Sequence, residues 1–222
     1  MSWKKQTTGA KRTACKRSAG LKITSLNEDL PELILLEPKR HFDDRGSFHE
    51  SFNQRQYGEA LGGVKFVQDN VSVSSKGVVR GLHFQEPNGQ AKLVQVLNGA
   101  VFDVAVDVRA GSPTFGKWAG VFLSGTSAAQ LFIPGGFAHG FVALTDNAVF
   151  QYKCSDYYNP ASERSVLWND PDIGIKWPDH LLNQQVSMLN PQVPLLLSPK
   201  DAAAPRLRDI LGRLLPAYST KP

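Results

Sequence analysis

"KLVQVLNGAVFDVAVDVR", residues 92–109, places two valine-rich apolar runs on either side of Asn98-Gly99. β-Branched runs punctuated by Asn-Gly read as two strands joined by a type I′ turn. A two-residue loop pairs Leu97 with Ala100, so Val94 faces Asp103 and Lys92 faces Ala105. Side chains alternate with period two along a strand. Lys92, Val94, Asp103 and Asp107 therefore share one face, and Leu93, Phe102, Val104 and Val106 share the other. Lys92 and Asp103 become diagonal neighbours across the pair, within reach of long side chains. Such a face is either open to solvent or the wall of an enclosed space. Val94 and Val101 favour the wall.

The same texture extends outward. "LILLEP" is followed by the loop "FDDRGS", and "SFHESF" places Phe48, Glu50 and Phe52 on one face. In "FVQDNVSVS", Val67, Val71 and Val73 oppose Gln68, Asn70, Ser72 and Ser74. Short alternating strands with Gly- and Pro-bearing turns from about Leu30 to Trp177 predict an antiparallel all-β sandwich or barrel. Helical patterns occur only at 53–61 and 205–215. No internal repeat or second domain is visible.

The net charge of +5 divides unevenly over the 222 residues. Residues 1–22 hold seven basic side chains and no acid, while the other 200 carry 18 basic and 20 acidic ones, a balance of −2. The expectation is a disordered basic tail over 1–22 and one folded domain over 23–222, ending in a helical segment. The nearly neutral body gives no sign of nucleic-acid binding. No apolar run approaches the roughly 18 residues of a membrane span, and Cys15 and Cys154 make no disulfide framework, so a reducing cytoplasmic setting is expected.

"VVRGLHFQ", 78–85, leaves His83 open as a buried structural residue, half of a metal site or a base. "IPGGFAHGF", 133–141, has Pro134, Gly136 and His139 in the spacing Pro-x-Gly-x-x-His, which resembles the second motif of the cupin superfamily of jelly-roll, or double-stranded β-helix, barrels. Metal-binding cupins also carry His-x-His in their first motif. Here His83 is followed by Phe84 and Gln85. Two histidines are a poor set for a divalent ion, which normally takes three or four protein ligands, so the expectation is a cupin barrel without a metal.

"DDRGSFHESF", "FVQDNVSVS", "VVRGLHFQ", "SPTFGKW", "IPGGFAHGFVAL", "YKCSDYYNPASE", "WNDPDIGIKWP" and "SPKDAAAP" follow one another in the order found in dTDP-4-dehydrorhamnose 3,5-epimerases. The resemblance runs from about residue 30 to 205. The basic tail and the extra residues at 181–197 depart from the usual bacterial form. The resemblance implies inversion of two carbons flanking the C4 ketone of a dTDP-linked 6-deoxy sugar, without a cofactor, by a homodimer that exchanges N-terminal strand segments. It implies His83 as base and Asp201 as its carboxylate partner, although Ser198-Pro199-Lys200-Asp201 also reads as a helix start. It further implies Tyr152 as proton donor and Lys92 at the ketone oxygen. Substrate contacts fall to Arg45, Glu50, Gln68, Asp69, Asn70, Arg80, His139, Glu163 and Lys200. Asp103 supports His139 in a structural or substrate-orienting pair, and Tyr158 is a candidate for stacking on thymine. Arg80 and His83 would point to opposite faces of a regular strand, and a bulge at Gly81 would reconcile them. Relatives that invert one carbon or isomerise the ketone share most of these motifs, and a non-catalytic sugar-nucleotide-binding cupin is the alternative from another class.

Overall fold

Asn98-Gly99 does not close a hairpin; it carries the chain from one sheet into another. The computed structural model describes residues 16–18, 20–178 and 195–219. One sheet has the order β1 (Lys16–Ser18), β2 (Leu21–Ser25), β3 (Ile34–Pro38), β11 (Gln130–Ile133), β8 (Lys92–Asn98), β13 (Ala148–Cys154), β6 (Gln68–Ser74). The other has the order β10 (Trp118–Ser124), β9 (Ala100–Asp107), β12 (Phe137–Ala143), β7 (Val79–Gln85), β14 (Glu163–Ser165). β4 (His41–Asp43) and β5 (Gly46–Phe48) form a separate exposed arm. Among the described residues, two short helices, α1 (Gln54–Ala60) and α2 (Pro199–Ala202), accompany the strands of an all-β, two-sheet cupin jelly roll.

β8 pairs with β11 and β13, whereas β9 pairs with β10 and β12. The physical reason is burial. A half-exposed hairpin would alternate with polar residues, but both runs are apolar on both faces, the mark of central strands that need partners on either side. Gly99 makes the corner at φ +76, where a Cβ would lie 2.3 Å from Thr145 Oγ1. The Ala100 N–H donates to that hydroxyl at 3.0 Å.

The face assignment survives the loss of the pairing, because it depends only on parity. Val94 and Val96 meet Val101 and Ala105 in the core between the sheets, with Leu131, Phe141 and Phe150. Phe141 and Phe150 stack at 4.2 Å, and burial of each is worth about 1.5–3 kcal/mol. The opposite parity splits between two outer surfaces. Leu93 packs with Leu36, Tyr57 and Phe132, while Phe102, Val104 and Val106 pack with Trp177 and Leu207.

Other expectations shift. Lys16–Ser18 pairs antiparallel with Leu21–Ser25, turning at Gly20 with φ +85, and Lys22 forms an ion pair with Glu37. The proposed boundary after Lys22 thus falls inside a strand, and residues 1–15 lie outside the described residues. The helix at 53–61 is present over Gln54–Ala60, with Asn53 capping the Arg55 and Gln56 N–H groups. The segment 205–215 is not an α-helix but two 3₁₀ turns, Leu207–Asp209 and Gly212–Leu214. Ile210 is extended between them, and Asp170 accepts the Leu207 N–H at 2.8 Å, so tertiary anchoring of Leu207 and Leu215 overrides helical continuity. "SFHESF" is strand only to Phe48. Residues 181–194 of the extra segment lie outside the described residues. Leu196 beyond them bonds to the β7 edge through Val79 N–H.

Candidate active site

β7 contributes His83, and a bulge aims it. Opposite β12, His139 pairs with His83 but Phe141 pairs with Arg80, so Gly81 and Leu82 together oppose Gly140. This is the irregularity that the Arg80–His83 spacing requires. A Cβ on Gly81 would lie 2.5 Å from the His139 carbonyl oxygen and 2.7 Å from Gly140 Cα, and its φ is +109, so only glycine fits.

His83 Nε2 meets Asp201 Oδ1 at 2.6 Å. Asp201 is the third residue of α2, whose Ser198 cap accepts the Asp201 N–H at 3.1 Å. The backbone of Asp201 starts the helix while its carboxylate reaches the histidine. Burial raises the Asp201 pKa, but the hydrogen bond and charge of His83, with Ser198 and the Gly81 N–H, outweigh it and hold the carboxyl below its ordinary range. An ionised Asp201 accepts the Nε2 proton, which leaves the Nδ1 lone pair available.

A cavity of about 330 Å³ opens beside this pair, lined by Gln68, Asn70, His83, Phe84, Gln85, Gln90, Lys92, Tyr152, Cys154, Tyr158 and Glu163. A larger recess of about 450 Å³ near Asn27, Phe115, Trp118 and Asp172 holds none of the proposed chemical groups. Lys92 and Cys154 stand opposite each other on β8 and β13, and Tyr152 follows the same inward parity as Cys154. Burial pushes the Lys92 amine down against the opposing charges of Cys154, Asp103 and Glu163. Burial likewise pushes Tyr152 and Cys154 up. At the rim, Glu163 takes a hydrogen bond from Tyr158 Oη at 3.0 Å and pairs with Lys200 at 2.5 Å. Burial would raise Glu163, but those two partners bring it below its ordinary range.

A protein-family profile, dTDP-4-dehydrorhamnose 3,5-epimerase, matches residues 27–209. The Salmonella typhimurium dTDP-4-dehydrorhamnose 3,5-epimerase is 53% identical over 184 residues, 82% of this chain and 94% of that protein. The chain belongs to the dTDP-4-dehydrorhamnose 3,5-epimerase family. A Legionella pneumophila dTDP-6-deoxy-D-glucose-3,5-epimerase, crystallised with dTDP-4-keto-L-rhamnose, is similar with a TM-score of 0.80 and 52% identity, covering 90% of this chain and 99% of that one. A 3′-monoepimerase from Streptomyces bikiniensis, in complex with dTDP-quinovose, reaches 0.74 and 41%, covering 84% and 90%. The shared fold is therefore found in a 3,5-epimerase and in a 3′-monoepimerase.

Within this member of the family, the cavity gathers His83, Lys92, Tyr152, Gln68, Asn70, Tyr158 and Glu163, with Asp201 and Lys200 one contact behind. Arg80 donates to Ser74 at 3.1 Å, and its charge acts on Tyr152. His139 binds Asp103 at 2.9 Å in the buried interior, beside the lining rather than in it. Three predicted contacts are not brought to this cavity. Asp69 has the outward parity of Val71 and pairs with Lys153 at 2.8 Å on the outer sheet face. Arg45 lies on the exposed arm and pairs with Asp43 at 2.6 Å, and Glu50 follows the arm and accepts from Asn53. The residue-level reading missed Phe84, Gln85, Gln90 and Cys154. Parity could have found two of them, since Gln85 lies two residues after His83 and Cys154 two after Tyr152. Gln85 is buried and accepts the Asn159 N–H at 2.9 Å, tying down the loop that carries Tyr158.

Proposed function

We propose that His83, Lys92 and Tyr152 carry the family's reaction in this cavity, with Asp201 holding the base. The activity is isomerisation: epimerisation of dTDP-4-dehydro-6-deoxy-D-glucose at C3 and C5 to dTDP-4-dehydro-L-rhamnose, a step of dTDP-L-rhamnose synthesis. A C–H beside a ketone loses its proton only when the enolate is stabilised. His83 takes the proton on Nδ1, with Asp201 stabilising the resulting imidazolium. The electron pair moves to the ketone oxygen, where the Lys92 ammonium meets it. Tyr152 then delivers its own proton to carbon from the opposite ring face, which inverts the centre. Solvent restores the proton to Tyr152 and removes the one on His83, and the sequence repeats at the second carbon. Every step is proton transfer, so no metal or organic cofactor enters. His83 and His139 are each engaged by a carboxylate, and full activity after exhaustive chelation is expected.

The convergence of His83–Asp201, Lys92 and Tyr152 on one cavity carries this reading. Gln68, Asn70, Arg80, Glu163 and Lys200 provide polar contacts for the nucleotide and sugar, and Tyr158 offers its ring to thymine. Residues 23–222 act as one catalytic domain in the cytoplasm. It works as a homodimer. Val71 and Val73 on edge strand β6 are each 59% exposed, and Phe42 and Phe48 on the arm are exposed to 71% and 73%, apolar surface that a second copy would cover. Arg45 and Glu50, outside their own cavity, would then serve the partner's. Incubating the protein with the substrate in deuterated water tests the activity. Deuterium at C3 and C5 of an L-rhamno product is expected, and label at one carbon alone would instead indicate a monoepimerase.

A further inference from the structure

The Lys92 ammonium has no ion pair or side-chain hydrogen bond to any described residue, although it lines the cavity beside several acids. Its surroundings are acidic on several elements. Cys154 and Tyr152 face it from β13, Glu163 from β14, Asp103 from β9, with His139 of β12 and His83 of β7 beyond. Most of these negative charges are absent or already committed. Burial keeps the Cys154 thiol and the Tyr152 phenol protonated to higher pH than usual. Glu163 is held by Lys200 at 2.5 Å and by Tyr158 at 3.0 Å.

Asp103 is different. It is wholly buried, its Oδ2 accepts from His139 Nε2 at 2.9 Å, and its Oδ1 has no partner among the described residues. A buried carboxylate oxygen left unpaired is destabilising. Strand parity turns Asp103 toward the same inter-sheet space as Lys92 and Val94.

We propose that Asp103, oriented by His139, is the buried counter-ion that keeps Lys92 protonated without forming a salt bridge to it. A direct bridge would occupy the ammonium that the ketone oxygen needs. A charge held on the facing sheet supports the cation through space and leaves its N–H groups free. Asp103 is thus a positioning residue that acts through Lys92, and its catalytic consequence rests on the role proposed for Lys92 above. Burial disfavours the charge on each group, raising Asp103 and lowering Lys92, and each charge opposes that effect on the other.

The test follows the Lys92 side chain directly, by NMR of ¹³Cε-labelled lysine assigned through Lys92→Met. In Asp103→Asn the Lys92 midpoint is expected to fall by about 1 pH unit or more, the usual effect of losing a nearby opposite charge. The alkaline limb of kcat should move down with it, a displacement that loss of packing alone would not produce. Coupling is reciprocal, so Lys92→Met should raise the Asp103 midpoint read from its carboxyl ¹³C signal, and this second measurement decides the matter if Asp103→Asn does not fold. A fall in the Lys92 midpoint with an unmoved kcat limb would uphold the counter-ion and remove Lys92 from the ketone. Midpoints unmoved in the variants that fold would overturn the proposal.

Discussion

His83 Nε2 and Asp201 Oδ1 lie 2.6 Å apart although 118 residues separate them in the chain. The contact joins a bulged strand to a capped helical turn, so Asp201→Asn should keep the cap while losing the carboxylate. We expect kcat to fall by at least about 10²-fold, with a smaller change in KM, checked by steady-state kinetics. The folded pKa of Asp201 is depressed, so its stabilising contribution is complete above the unfolded value near 3.9 and is lost as pH falls through the lower folded value. Acid unfolding of the wild type should therefore show a component that Asp201→Asn lacks.

Activity should also fail on the alkaline side before lysine's ordinary range near 10.4, because burial makes Lys92 give up its proton early. Tyr152 is shifted the other way and keeps its proton longer. The alkaline limb of the pH–kcat profile should thus move upward in Lys92→Arg, whose guanidinium does not deprotonate in this range. It should stay in place in the residual activity of Tyr152→Phe. A limb that moves only with Tyr152 would reverse the two assignments.

Legibility followed physical range. Parity is local, so Lys92, Val94 and Asp103 could be assigned to one face from the sequence, and Arg80 with His83 called for the bulge found at Gly81. Pairing is not local. Asn98-Gly99 reads as a hairpin, but strands apolar on both faces take their partners from residues 118–154. Asp201 looked like an N3 helix acid because nothing within the segment reports that His83 lies above it. Arg45 and Asp69 came from resemblance alone, and only the fold shows that neither enters its own cavity.

Gly81→Ala places a methyl group against the His139 carbonyl in a positive-φ conformation. A loss of about 1–3 kcal/mol in denaturant unfolding is expected. The bulge also sets the direction of His83, so activity should fall further than the lost stability accounts for. A stable, fully active Gly81→Ala would separate the bulge from the site.

Arg45 provides a test of the dimer. Light scattering should give twice the chain mass. If Arg45 serves the partner's cavity, Arg45→Ala mixed with inactive His83→Ala should regain activity as mixed dimers form, since one of the two cavities then has both residues native. Mixing that restores nothing, despite verified subunit exchange, would place Arg45 outside the site.

The assignment of His83 as the base for both carbons is tested most directly by proton exchange in deuterated water, followed by NMR of the dTDP-4-keto sugar. His83→Ala should lose deuterium exchange at C3 and at C5 alike, by at least about 10²-fold. Tyr152→Phe should retain exchange at one or both carbons while net epimerisation falls. Exchange that continues at either carbon in folded His83→Ala at the wild-type rate would contradict the account, because another group would then be removing that proton.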